Sequence, residues 1–408
     1  MARRRWVSLA SHAARTGAPT TTLLTYNILA DGERLAMSPK HAYCPRELRE
    51  WGDLSRGRCK RLVEEIRSYG AEVLALQECS ARALVQLREG LDAASAAPSH
   101  AFHLSDLLVG SEAAEARENE TGLAVYVRSE AWEPIGAHAV RLSSMLEDGR
   151  HTGHLLRRLS TLSDAAMFVL LEHTHTKQRL LVGNTHIYWN PSHPHVKAAQ
   201  AELVCAAARA FAAARAPHAA PPALALLGDF NSVPQLQPAF LPASQAARLP
   251  RPLPAAWAHS AAYALLSSGH VAPDHPEHPD AFGGAAPPRA AEPPAKRRAR
   301  GVGALRSGLS LRDAYAGALR AGPLPLSTHA GDFKGCLDYI WLSSPPPPAA
   351  AAAAGGEGGG FAAVELLQVL EMPYALDAPD EFGSIPDAEW PSDHLALGVR
   401  IAVEPHDA

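Results

Sequence analysis

Apolar positions along the chain fall into two rhythms. Leu23 to Leu29 reads as a strand, Cys59, Leu62, Val63, Ile66 and Tyr69 recur at helical spacing, and Val73 to Leu76 is an apolar run again. The order is strand, helix, strand. Further strand-like runs are Leu123 to Val127, Met167 to Leu171, Leu180 to Asn184, Ala223 to Leu227, Leu337 to Leu342, Val364 to Leu370 and Leu395 to Val403. Helical spacing returns at Val196, Ala199, Leu203, Val204, Ala207 and Phe211. Many strands with a few interleaved helices predict a layered α/β sandwich. No fixed-period repeat is present, which argues against a solenoid.

Two stretches break the rhythm. Residues from about 270 to 303 are rich in proline, alanine and glycine and carry a basic cluster, Lys296, Arg297, Arg298 and Arg300. Such a composition is too poor in core-forming residues to order itself. Residues 344–360 are proline, alanine and glycine with one glutamate. Both are expected to loop out of one continuous domain spanning 21–404, because strands flank them. The basic cluster reads as a nuclear localisation signal, an RNA-touching patch or a solvated linker. Residues 1–20 are expected to form a basic segment ahead of the domain. Arg3, Arg4, Arg5 and Arg15 stand there with no acid before Asp31, a pattern loosely like an organelle transit peptide.

The 408 residues are 47% apolar, but much of that is alanine, as in Ala349 to Ala354, so the core-forming fraction is smaller. A net charge of −4 excludes nucleic-acid binding through bulk basicity and requires any RNA contact to be local. Five scattered cysteines (Cys44, Cys59, Cys79, Cys205, Cys336) with no C-x-x-C pair argue against a disulfide framework and a zinc site. A reducing compartment, by default the cytosol with nucleus or organelle open, is expected. No apolar stretch approaches the roughly 20 residues of a spanning helix, so no membrane partner is expected.

Polar signatures close the apolar strands: Asn27 in T-Y-N-I-L-A-D, Glu78 in L-A-L-Q-E, His186 in G-N-T-H, Asp229 and Asn231 in L-L-G-D-F-N, and Asp393 with His394 in P-S-D-H. Asp338 in C-L-D-Y-I-W opens another. Singly, each is ordinary: a solvated strand end, a surface histidine, a turn. Together they place carboxylates, asparagines and imidazoles repeatedly at the ends of buried strands, where charges need partners and cost stability without them. Phosphodiester cleavage calls for this inventory. Its transition state spreads negative charge over non-bridging oxygens, so it needs a hard cation, fixed donors and a base to activate water. Oxygen ligands without cysteine favour Mg²⁺, with Mn²⁺ as a substitute. Glu78 is the expected metal ligand, with Asn27 and Asp393 in its first or second shell. Asp338 and His394 form an expected carboxylate–imidazole pair, Asp229 and Asn231 orient the water and the scissile group, and His186 donates to a phosphate oxygen.

The ordered set T-Y-N-I-L-A-D, L-Q-E, N-T-H, G-D-F-N, L-D-Y-I and S-D-H resembles the endonuclease/exonuclease/phosphatase superfamily from about residue 20 to about residue 403. Finer strings are similar to the carbon catabolite repressor type deadenylases and their relatives, Angel proteins, nocturnin and the 2′,5′-oligoadenylate phosphodiesterase. They are Tyr43-Cys44-Pro45, Leu48 and Trp51, I-R-S-Y-G-A-E, H-I-Y-W-N-P with Lys197 and Gln200, and D-F-K-G-C-L-D-Y-I-W. The resemblance implies a four-layer α/β sandwich of two β-sheets flanked by helices, and Glu78 as Mg²⁺ ligand. It implies Asn27, Asp229, Asn231 and His186 around the phosphate, and a polarised Asp338–His394 pair.

It further implies an adenine held between Pro191 and Phe333, although these residues can equally be a strand terminator and a core residue. Activity on poly(A) RNA as a 3′-exoribonuclease is the implied function. Hydrolysis of a small nucleotide, a 2′,5′ linkage or a modified RNA end, or service as an inactive scaffold, are the alternatives. Because the chain begins almost at the first catalytic strand, docking on a larger complex through leucine-rich repeats is not expected.

Overall fold

Alternation along the strands decides which faces meet. In the computed structural model, residues 4–9, 18–32, 39–93, 95–118, 121–146, 153–215, 220–282, 303–318, 325–345, 360–374 and 381–404 are described. Among them the strands form two large sheets. The first runs β1 (Trp6–Ser8), β16 (Val364–Leu370), β17 (Leu397–Val403), β2 (Thr20–Asn27), β3 (Val73–Gln77), β5 (Leu123–Arg128), β4 (Ser99–His103). The second runs β12 (Leu311–Asp313), β15 (Asp338–Ser343), β9 (Ala223–Asp229), β8 (Arg179–His186), β7 (Ala165–His173), β6 (Trp132–Arg141). Each sheet has one parallel pair, β2–β3 and β8–β9. Between the members of each pair lies a helix, α1 (Gly57–Tyr69) or α4 (Pro194–Arg215), the crossover that parallel strands require. Two short ribbons complete the strands: β10 (His270–Val271) with β11 (Leu305–Arg306), and β13 (Thr328–Ala330) with β14 (Phe333–Gly335).

Alternate residues of the central strands point into the space between the sheets. Leu23, Ala75, Val125 and Leu397 meet Met167, Val182, Ala225 and Ile340 there in one buried cluster. The opposite faces pack on helices. Leu24, Tyr26, Leu74 and Leu76 lie against Cys59, Leu62 and Ile66 of α1 and Leu84 and Leu87 of α2 (Ala81–Asp92). Leu181, Leu224, Leu226 and Trp341 lie against Ala201, Val204 and Ala208 of α4 and Leu265 of α5 (Ala261–Ser268). Helix, sheet, sheet and helix make the four layers expected of the fold.

Four parts of the chain depart from the sequence reading. Trp6–Ser8, expected ahead of the domain, pair with Leu370, Val369 and Gln368 and close the edge of the first sheet. Arg4 is buried beside them, with its Nη1 donating to the Ala396 carbonyl at 2.8 Å. Residues 270–282, expected to loop out, are packed. The Glu277 Oε2 accepts the Ala261 N–H at 2.8 Å, capping α5, and Phe282 stacks on His195 with ring centroids 3.9 Å apart. Hydrogen bonds and ring stacking together hold this stretch down. Strands β4 and β6 went unread because S-H-A-F-H and W-E-P-I-G-A-H mix polar, proline and glycine residues, as edge strands tolerate. The basic cluster Lys296 to Arg300 and most of 344–360 lie outside the described residues.

Candidate active site

The inward alternation of four strands runs out at one end of the sandwich into polar residues. Leu23, Thr25 and Asn27 succeed one another on β2, Leu180, Val182, Asn184 and His186 on β8, and Ala223, Ala225, Leu227 and Asp229 on β9. β15 runs the other way and so begins there, with Asp338 ahead of Ile340 and Leu342. Sheet register then aligns the side chains, pairing Asp338 with Asp229 and Asp229 with His186. Beneath them the Gln77 amide donates to Asn184 Oδ1 at 2.7 Å across the two sheets, and Asn184 donates to the Leu76 and Ala124 carbonyls at 2.9 Å each. This buried polar layer fixes the separation of the sheets under the site. Gly228 allows β8 and β9 to close up, since a Cβ at its φ of 147° would lie 2.0 Å from the Thr185 carbonyl oxygen.

Asn27 braces the centre. Its Nδ2 donates to Glu78 Oε1 and to Asp229 Oδ2, both at 3.1 Å, and its Oδ1 accepts the Leu29 N–H. Glu78 Oε2 accepts the Ala30 N–H at 3.1 Å. Glu78 and Asn231 have φ of 55° and 47°, left-handed conformations that cost energy in residues other than glycine and concentrate at functional sites. Asn231 donates its backbone N–H to Asp229 Oδ1 at 2.8 Å and its side chain to the Ile187 carbonyl. His186 Nε2 lies 3.5 Å from Asp229 Oδ2.

His394 Nδ1 donates to Asp338 Oδ2 at 2.8 Å, and its Nε2 faces Asp229 Oδ2 at 3.8 Å. Burial opposes charging of this ring, but the two carboxylates prevail and raise its pKa to about 10. The two carboxylates thus favour the protonated ring of His394. Ser327 donates to the same Asp338 oxygen at 2.6 Å, while Asp338 Oδ1 is buried with no hydrogen-bond partner among the described residues. Asp393 makes no hydrogen bond with Glu78 or Asn27 among the described residues. Its carboxylate accepts from buried His41 at 2.9 Å and from Lys40 at 3.5 Å. Burial alone would raise its pKa, yet the His41 hydrogen bond and the His394 and Lys40 charges hold it well below the usual carboxylate range.

Glu78, His186, Asp229, Asn231, Asp393 and His394 line a cleft of about 440 Å³. Asp229, Asp338 and His394 present ligand atoms within 4.8 Å of one another, but a protonated His394 has no free ring nitrogen to give a metal ion. The orphaned oxygen of Asp338 and the oxygen-rich surroundings fit a hard divalent cation. Half-buried Glu78 fits best, because each of its oxygens accepts one hydrogen bond and keeps a lone pair, with Asn27 and Asp229 alongside. The His394 cation already balances part of the deeper cluster.

A second cavity of about 310 Å³ shares Trp189, Asn231 and Phe333 with the cleft and adds Pro191, Phe240, Lys197 and Glu277. Phe333 is 39% exposed and is not a core residue. Pro191 lies beyond the end of β8 in an exposed turn. Burial pushes Lys197 down to about 8 and Glu277 up to about 7. Lys197 donates to the Asn231 and Trp189 carbonyls, tying the pocket to the turn after β9.

The sequence reading did not reach Ser327, His41, Glu277 or Arg58. Arg58 is buried on α1 and donates to the Ile28, Leu29, Ala30 and Pro391 carbonyls, clamping the loop after Asn27 to the P-S-D-H loop. A charged residue at the start of a helix gives no local sign of such a task.

Facing sheets with carboxylates, amides and a buried imidazolium gathered at one end define a hydrolase of phosphate esters. The chain belongs to the Endonuclease/Exonuclease/phosphatase family, whose sequence profile matches residues 24–394. CCR4-NOT transcription complex subunit 6-like-B of Xenopus laevis is 23% identical over 429 residues, which cover 98% of this chain and 67% of that protein. The CCR4-Not complex 3′-5′-exoribonuclease subunit Ccr4 of Aspergillus clavatus is 24% identical over 439 residues, 98% of this chain and 56% of its own length. Among solved structures, ANGEL2, a 2′,3′-cyclic phosphatase, superposes with a TM-score of 0.65 at 18% identity, covering 99% of this chain and 100% of that one. The human nocturnin catalytic domain superposes with a TM-score of 0.54 at 16% identity, covering 98% and 97%.

Proposed function

We propose that the chain is a Mg²⁺-dependent 3′-exoribonuclease that hydrolyses the terminal phosphodiester bonds of poly(A) RNA and releases 5′-AMP. The observation that carries this reading is the pocket with Pro191 and Phe333 opening directly beside the Asp229, Asp338 and His394 row, so that a stacked base and its phosphate reach both. When bound at Glu78, the divalent cation would neutralise charge on the phosphate. Asp229, held by Asn27 and Asn231, orients the attacking water and takes its proton. Asn231 and His186 donate to non-bridging oxygens. His394, kept protonated by Asp338 and Asp229, supplies a fixed positive charge beside the phosphate. The curated relatives named as CCR4-NOT subunits and as a 3′-5′-exoribonuclease support RNA as the partner.

The test is a gel of 5′-labelled RNA ending in an A tail or in mixed nucleotides, incubated with Mg²⁺ and the protein, with Glu78→Ala as control. Shortening that stops at the first base other than A, and is lost in Glu78→Ala, is the expected result. No shortening of either RNA would overturn the reading in favour of a small phosphorylated nucleotide. The second cavity, at about 310 Å³, favours that alternative in one respect, since it needs no polymer to fill it.

A further inference from the structure

The row of inward-facing residues continues past the residues already described. Arg141 pairs with Ala165, and the β7–β8 register that sets Ala166 against Thr185 brings Ala165 opposite His186. Arg141, Ala165, His186, Asp229 and Asp338 therefore form one line across five strands. Arg141 stands three strands from Asp229, about 14 Å at ordinary strand spacing. It lies on the side of the cleft away from Phe333, whose ribbon leads into β15.

The Arg141 side chain is only 4% exposed and lines the cleft. Nη1 donates to the Ser163 carbonyl. Nη2 is buried and has no hydrogen-bond partner among the described residues. The nearest acid contact is Glu115 Oε1 on α3 (Gly110–Glu118), 3.9 Å away and itself 62% exposed, beyond hydrogen-bond reach. Asp164 is close enough for Arg141 to favour its charged form, but its Oδ2 accepts from Gln200 at 2.7 Å. A guanidinium cannot shed its proton, and a buried donor left unmatched costs stability. Its planar fork matches the oxygens of a phosphate.

We infer that Arg141 forms a subsite for a second substrate phosphate, the one next to the scissile phosphate on the side away from the base held at Phe333. The inference rests on the nucleotide substrate proposed above. A phosphodiester inside an RNA chain and a terminal monophosphate share this chemistry and can occupy the same position.

Three substrates separate the possibilities. ApA carries the scissile phosphate alone, pApA adds a terminal phosphate, and ApApA adds an internal one. The expected result is that Arg141→Gln lowers kcat/KM at least tenfold more on pApA or ApApA than on ApA, with Arg141→Lys recovering part of the loss. Loss on pApA alone identifies a terminal-phosphate site, and loss on ApApA a chain-tracking one. Equal loss on all three overturns the subsite and leaves Arg141 as a prop for Ser163. If the wild type cleaves none of them, the RNA reading falls, and binding decides the subsite. In Mg²⁺-free buffer, the dependence of log Kd for fluorescent pApApA on log salt should flatten by about 0.7 in Arg141→Gln, as for one lost phosphate contact. An unchanged slope would overturn the subsite.

Discussion

The polar row at the strand ends and the pocket beside it are built by different means. In the row, side chains project from strand ends whose positions the sheet registers set, and carboxylates meet donors: Asp338 meets His394, Asp393 meets His41, and Asp229 meets the Asn27 amide and the Asn231 N–H. In the pocket, Trp189, Pro191, Phe240 and Phe333 come from loops, a 3-10 turn of helix and a short ribbon, Trp189 is 67% exposed, and burial drives Lys197 and Glu277 toward neutrality. Fixed charges suit a reaction that is the same for every phosphate ester, while loop-borne apolar walls suit the choice of which ester enters.

The largest effect should come from the row. His394→Ala or Asp338→Asn should lower turnover by about 10²–10⁴-fold on every substrate, measured under single-turnover conditions. A loss confined to A-ended RNA would break the division between row and pocket. Arg58→Met should reduce unfolding free energy in urea by about 3 kcal/mol, since buried carbonyls of both catalytic loops lose a charged donor. An unchanged midpoint would show that the loops hold without the clamp. Phe333→Ala should cost ~1–3 kcal/mol of base stacking, about 5- to 150-fold in kcat/KM, on A-ended RNA.

A separate effect, on stability alone, concerns pH. Glu277 has a folded pKa of about 7, above the roughly 4.3 of an unfolded chain. A raised value contributes stability that is fully present below about 4.3 and lost as pH rises through about 7. Glu277→Gln removes that loss, so the Tm of the variant should gain on the wild type by roughly 4 °C between pH 4.5 and 7.5. A gap that is constant with pH would show Glu277 to be ordinary in the folded protein.

The same division explains what could be read from the chain. Asn27, His186, Asp229 and Asp338 were legible because a polar residue ends or opens an apolar run, and the alternation that buries Leu23 or Ala225 also aims its polar successor. Glu78 and Asn231 were legible by position, though not in their left-handed backbone. His41, Ser327 and Glu277 sit in stretches without period, where hydrogen bonds to distant partners such as Asp393, Asp338 and the Ala261 N–H decide the structure. Strand β1 was hidden for a related reason: three residues show no rhythm, and their place depends on the open edge of β16. Asp393 was read beside Glu78, but its carboxylate is engaged by a histidine 352 positions away.

The ratio of kcat/KM on A-ended to C-ended RNA, compared among the wild type, His394→Ala and Phe333→Ala, tests the central claim most directly. The account predicts that His394→Ala lowers both values and preserves the ratio, whereas Phe333→Ala brings the ratio toward one. A ratio that shifts in His394→Ala and survives in Phe333→Ala would contradict it.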